Sequence, residues 1–96
     1  MRVAKIISAE KIDGSVKLIK LIVSLGVEER QIIAGIGESY SREDLLGKHI
    51  IIVVNLTPKM IMGVESQGMV IATTDKNNNS ALIMPDKEVA IGALIT

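Results

Sequence analysis

The 96-residue chain has no cysteine, tryptophan or phenylalanine, and Tyr40 is its single aromatic residue. Without cysteine there is neither a disulfide framework nor thiolate chemistry. His49 is the only histidine, so no multi-imidazole metal site can form, and neither a metal nor another cofactor is expected. No charge of either sign prevails: eleven Lys and Arg stand against eleven Asp and Glu. Any attraction to nucleic acid or to an acidic surface therefore needs a local patch. The longest apolar run, Ile50 to Val54, is far short of the roughly 20 residues of a membrane span. The N-terminus carries no signal-peptide pattern, so a cytoplasmic protein with no membrane partner is expected.

Apolar residues make up 48% of the chain, too many for intrinsic disorder. Isoleucine and valine lead that fraction, and β-branched side chains favour strands. The length suits one domain, residues 1–96. Charge is segregated along it, with residues 1–20 net basic and 21–46 net acidic.

Arg2 to Ile12 reads as a first strand, and the Asp13-Gly14-Ser15 turn returns the chain as a second, Lys17 to Leu25. The period of two places Ile19, Leu21, Val23 and Leu25 on one face. Glu28 to Ile36 supplies a third strand, with Arg30, Ile32, Ala34 and Ile36 on one side. Residues 41–47 have a hydroxyl N-cap at Ser41, acids in the first turn and Gly47 at the end, which predicts a short helix. Lys48 to Asn55 is a fourth strand, and its apolar run requires burial on both faces and a second apolar partner. Pro58 and Gly63 punctuate a connector, Gly68 to Thr74 reads as a fifth strand, and Ser80 to Met84 is a candidate sixth. Five short strands with one helix between the third and fourth is the order of an all-β OB-fold, a five-stranded Greek-key barrel.

Enzyme signatures fail residue by residue. Gly35-Ile36-Gly37 has Tyr40 where a dinucleotide fingerprint needs its third glycine, and Gly47-Lys48 has Arg42 where a P-loop needs its first. Ser66 lacks the glycine two positions before it that a nucleophile elbow requires. No catalytic residue is assigned, and the chain is not expected to be an enzyme by itself.

Residues 55–69 carry the best local signal. Asn55 and Ser66 can donate and accept, Lys59 can meet a phosphate, Gly63 and Gly68 permit close backbone approach, and Met60, Met62 and Met69 add adaptable apolar area. The competing reading is an ordinary connector whose methionines plug the barrel end, and composition alone favours it.

The Gly63-Val64-Glu65-Ser66-Gln67-Gly68-Met69 block, with Arg2-Val3, Lys17-Leu18, Arg30-Gln31-Ile32, Gly35-Ile36, Tyr40, Leu46-Gly47-Lys48 and Pro85 to Val89 in order, resembles the tRNA-binding domain at the C-terminus of methionyl-tRNA synthetase. That family also occurs as a separate β subunit and as a free-standing protein. The resemblance implies an OB barrel that binds tRNA by its shape, with Asn55, Lys59, Gly63, Ser66, Gln67, Gly68, Met69, Lys17 and Arg30 as RNA-binding residues. Recognition of folded RNA needs no aromatic platform, which fits a chain with Tyr40 alone.

The resemblance also implies a homodimer, with segment 85–96 and its Val89, Ile91, Leu94 and Ile95 at the interface, and a synthetase catalytic subunit as a further partner. The alternative for the tail is folding on its own barrel. For Ser66 and Met69 the alternative is that Ser66 closes a turn and Met69 packs inside. From a different class, a dimeric peptide-binding export chaperone shares the same barrel.

Overall fold

The computed structural model describes residues 1–96. Its elements are β1 (Arg2–Lys11), β2 (Ile19–Ser24), β3 (Glu29–Ala34), α1 (Arg42–Leu45), β4 (His49–Val53), β5 (Lys59–Ile61), β6 (Val64–Ser66), β7 (Met69–Val70), β8 (Ala72–Thr74) and β9 (Ser80–Leu82). Five strands form one curled antiparallel sheet in the order β3-β2-β1-β4-β7, with α1 between β3 and β4. This is the OB-type arrangement that the strand order predicts.

Alternation builds the inner face. Ile19, Leu21 and Val23 of β2 are fully buried, with Leu25 nearly so, and they meet Ile32 and Ala34 from β3. In β1 the register against β2 slips between Ile6 and Ser8, leaving Ile7 as a bulge. Ala4 and Ile6 point inward before the bulge and Ala9 after it, while Ile7 is exposed. The extra residue bends β1 so that one strand can pair with both β2 and β4. At the barrel end α1 carries the predicted cap: Ser41 accepts from the Asp44 backbone and Asp44 accepts from the Ser41 backbone. The cap holds Leu45 in the core with no exposed surface.

β4 is buried on both faces, as its composition requires. Ile50 and Ile52 enter the core, while Ile51 pairs with Val3 of β1, and both of these outward residues are buried. Their cover is the C-terminal segment of the same chain. The Val3 N–H donates to the Ala93 carbonyl at 2.9 Å, Gly92 N–H to Val3 at 2.7 Å, and Ile95 N–H to Met1 at 3.0 Å. Burying one isoleucine in this way contributes about 1.5–3 kcal/mol.

Two segments differ from the sequence reading. The connector after β4 contains a hairpin, β5–β6, whose turn residues Met62 and Gly63 have φ of 50° and 78°. Two consecutive positive values define the tight turn whose twist matches a two-residue hairpin. The expected fifth strand divides at Ile71, whose N–H bonds to Ile51 on β4 while its carbonyl accepts from Ile83. Beyond that pivot β8 leaves the main sheet and pairs with β9.

Gly92 seats the tail. Its φ is 90°, and a Cβ there would come within 2.5 Å of the Leu25 carbonyl oxygen. Gly92→Ala is expected to lower the unfolding free energy by about 1–3 kcal/mol in a urea titration, because strain and a backbone clash combine.

Candidate nucleic-acid interface

The curled sheet is closed between β3 and the β6–β7 segment by side chains and one backbone hydrogen bond. The Gln67 Oε1 accepts from the Gln31 N–H at 2.9 Å, the Gln67 N–H donates to the Gln31 carbonyl at 2.7 Å, and Gln31 Nε2 donates to the Glu65 carbonyl at 2.7 Å. Ser66 Oγ accepts from the Ile33 N–H at 3.0 Å and donates to the Gly68 carbonyl at 3.1 Å. Arg30 Nη1 reaches the carbonyls of Val54 at 2.6 Å and Gln67 at 3.1 Å. Gly68 is pressed against the end of β4, where a Cβ would lie 2.7 Å from the Val53 carbonyl oxygen.

This geometry sorts the residues that the sequence nominated. Arg30, Ser66, Gln67 and Gly68 come together, but their polar atoms face one another. Ser66 is only 4% exposed and its hydroxyl is used in both directions, so its side chain shapes the interface from behind. Arg30 spends its guanidinium on two carbonyls and on Glu28 at 3.4 Å. Met69, 56% exposed, stands outside the core beside this clasp. Lys59, the register partner of Ser66, is exposed and forms no ion pair within the chain. Asn55 is exposed in the loop after β4, and Gly63 sits in the hairpin turn. The hairpin leans over the first turn of the chain, since the Met62 Cε lies 3.7 Å from where a Gly14 Cβ would stand. Lys17 lies apart from the clasp, its stem running over Gly35.

The β8–β9 hairpin is held to the barrel by the residues after β3. The Ser80 N–H donates to Ser39 Oγ at 3.0 Å, and the Leu82 N–H donates to the Tyr40 hydroxyl at 3.0 Å. The only aromatic ring packs against the core and is committed to this tie, so it offers no stacking platform. In the hairpin loop the backbone N–H of Asn79, then that of Asn77, then the Asn79 side chain hold the Asp75 carboxyl below its ordinary pKa.

Sequence reasoning missed Gln31, Ser39 and the β5–β6 hairpin. The available signal for Gln31 was the polar Arg30-Gln31 pair directly before the apolar Ile32-Ile33-Ala34 run of β3. It matches the polar Ser66-Gln67 pair later in the chain. No three His, Cys, Asp or Glu side chains converge. What the fold presents is a small OB barrel with a methionine- and lysine-bearing rim on a hydrogen-bonded frame, the class of a small binding domain.

Residues 1–94 match the family described as "Putative tRNA binding domain", and the chain belongs to that family. It is 51% identical over its whole length to part of the methionine–tRNA ligase of Caldanaerobacter subterraneus subsp. tengcongensis, and 46% identical to part of that of Thermotoga maritima. The chain spans about 15% of the length of each of these relatives. A methionyl-tRNA-synthetase-related protein from Pyrococcus horikoshii superposes with a TM-score of 0.91 at 46% identity, covering 99% of this chain and 87% of the other. The chaperone CsaA of Bacillus anthracis superposes at 0.89 with 29% identity, covering 99% and 88%. The chain is thus a tRNA-binding domain related to methionine–tRNA ligases.

Ser66→Ala strips the buried Ile33 N–H of its acceptor. Chemical denaturation is expected to show a loss of about 1–3 kcal/mol, the usual effect of leaving a buried donor unmade.

Proposed function

We propose that this domain binds folded tRNA by shape, weakly and with little discrimination among anticodons. It would serve aminoacylation in the cytoplasm as an accessory subunit or detached domain of methionyl-tRNA synthetase. The match of residues 1–94 to the tRNA-binding family carries this reading. Its contact surface is the outer rim, with Met69, Lys59 and Asn55 beside the clasp and Lys17 further along. Ser66, Gln67, Gly68 and Arg30 act as the frame that fixes this rim, and Gly63 sets the hairpin turn.

Phosphate contacts release counterions, so tRNA affinity is expected to fall with salt by about 0.9 log unit per log unit for each phosphate neutralised. Lys59→Ala should reduce that slope by about one. Met69→Ala should weaken binding by about 1–3 kcal/mol at every salt concentration. Fluorescence anisotropy between low and physiological salt reads all three. Equal affinity for tRNA and for an unstructured polynucleotide of the same length would defeat the shape-reading claim. The likeness to a chaperone supports a second reading, a peptide-binding protein, which the same titration with an unstructured peptide separates.

The domain works as a two-fold homodimer in this proposal. Met1, Ile83, Met84, Val89, Leu94 and Ile95 are each at least 37% exposed, and all line one apolar groove of about 520 Å³ beside the tail. Contiguous exposed apolar surface of this kind marks an association site, and C2 dimers are the commonest closed solution. Light scattering is expected to give about 20 kDa at micromolar concentration, twice the 10.3 kDa chain, and Leu94→Glu should return it to the single-chain mass.

A further inference from the structure

The barrel wall stays open beyond the clasp. Hydrogen bonds from β3 to the β6–β7 segment end at Ile33, and β8 turns away to pair with β9. Two recesses lie end to end in the resulting cleft. One, of about 280 Å³, is walled by Ile33, Ala34, Ile36 and Val70, with Met69 on its lining. The other, of about 220 Å³, has no apolar lining side chain and is bounded by Lys17, Glu38, Ser39 and Asn78. Gly35, Thr74 and Ser80 line both, so the two adjoin as one slot, lined mainly by apolar residues at one end and by polar residues at the other.

Gly35 is the narrowest chemistry in the slot. It is exposed, and its N–H and C=O enter no hydrogen bond of the fold. A Cβ there would meet only the aliphatic stem of Lys17, at 3.7 and 3.9 Å. Neither Lys17 nor Glu38 is engaged in an ion pair, so an ammonium donor and a carboxylate acceptor remain available at the polar end.

We infer that this slot receives one unstacked base of the bound RNA, and that guanine fits it best. The inference rests on the tRNA-binding reading above. A base has apolar faces and a polar edge, which is the division the slot displays. The flexible thioether of Met69, 56% exposed, can lie on a base face in a chain that has no free aromatic ring. At the other end guanine offers adjacent N1–H and N2–H donors to Glu38 and its O6 acceptor to Lys17. Uracil would turn carbonyl oxygens toward the carboxylate, and adenine supplies a single amino donor. An extended peptide is a poorer fit, because strand addition needs a row of unpaired backbone groups. On β3 the N–H groups of Gln31 and Ile33 are already taken by the clasp.

The test combines nucleotide titration with tRNA binding on the full chain. In amide spectra of the labelled protein, GMP should shift Gly35, Thr74 and Ser80, and AMP, CMP and UMP should shift them less. Gly35→Val fills the slot, so it should abolish the GMP response and weaken tRNA binding by about five- to a hundredfold, the worth of one stacked base. Gly35→Ala adds a methyl that meets only the Lys17 stem, keeps the melting temperature and should show a smaller loss in the same direction. Glu38→Gln should narrow the preference for GMP over AMP. If the unmodified chain binds tRNA, but both Gly35 variants bind it equally well and GMP moves none of these amides, the slot is overturned while the tRNA reading stands. Absence of tRNA binding by the unmodified chain overturns both. An unstructured peptide that shifts the same amides where GMP does not would assign the slot to a different ligand and overturn the base reading.

Discussion

A curled sheet of five strands leaves two edges that must meet or be covered, and here they meet mainly through side chains. Between β3 and the β6–β7 segment there is no continuous backbone ladder; an amide oxygen from Gln67 and a hydroxyl from Ser66 stand where carbonyls would normally accept. Backbone groups on a sheet edge demand partners, so these substitutes are obligatory once the interior is dry. A side-chain closure can end abruptly where a ladder tends to propagate. That is why the wall is shut at Ile33 and open beyond it, and why a cleft can sit directly beside the clasp. The exposed rim residues owe their fixed positions to the same clasp, since Lys59 pairs with Ser66 and Met69 follows Gly68.

The second constraint is β4, which is apolar on both faces. Its inner side belongs to the barrel, while its outer side depends on a tail bonded to β1 through Val3. The tail covers Ile51 and Val3 but replaces them at the surface with Val89, Leu94 and Ile95. An apolar strand has thereby been exchanged for an apolar groove, on a different part of the molecule from the lysine-bearing rim.

Much of the architecture was legible because it follows from alternation and capping. Ile19, Leu21, Val23 and Leu25 share a face as the period of two requires, and Ser41 caps the helix as a hydroxyl at that position should. The tripeptide of Asp13, Gly14 and Ser15 turns the chain between the first two strands. What escaped is what depends on partners distant in sequence. Nothing local distinguishes a serine that will meet a ligand from one that will satisfy a backbone N–H thirty-three residues away, which is the fate of Ser66. The break of the fifth strand at Ile71 was hidden for the same reason, since β-branched composition continues smoothly through it. Met62 masked the hairpin turn, because a methionine at positive φ is not a turn signal that composition supplies.

The tail also sets the order in which the molecule can be completed. Residues 92–95 bond to residues 1–3, so β1 receives its outer cover only when nearly the whole domain has been synthesised after it. Until then the outward faces of Val3 and Ile51 and one edge of β1 are bare, the kind of surface on which nascent chains associate wrongly. Contacts this far apart in sequence also slow barrel folding. A domain held shut by residues from both ends of its fold is therefore at its most vulnerable during synthesis, before the last segment has docked.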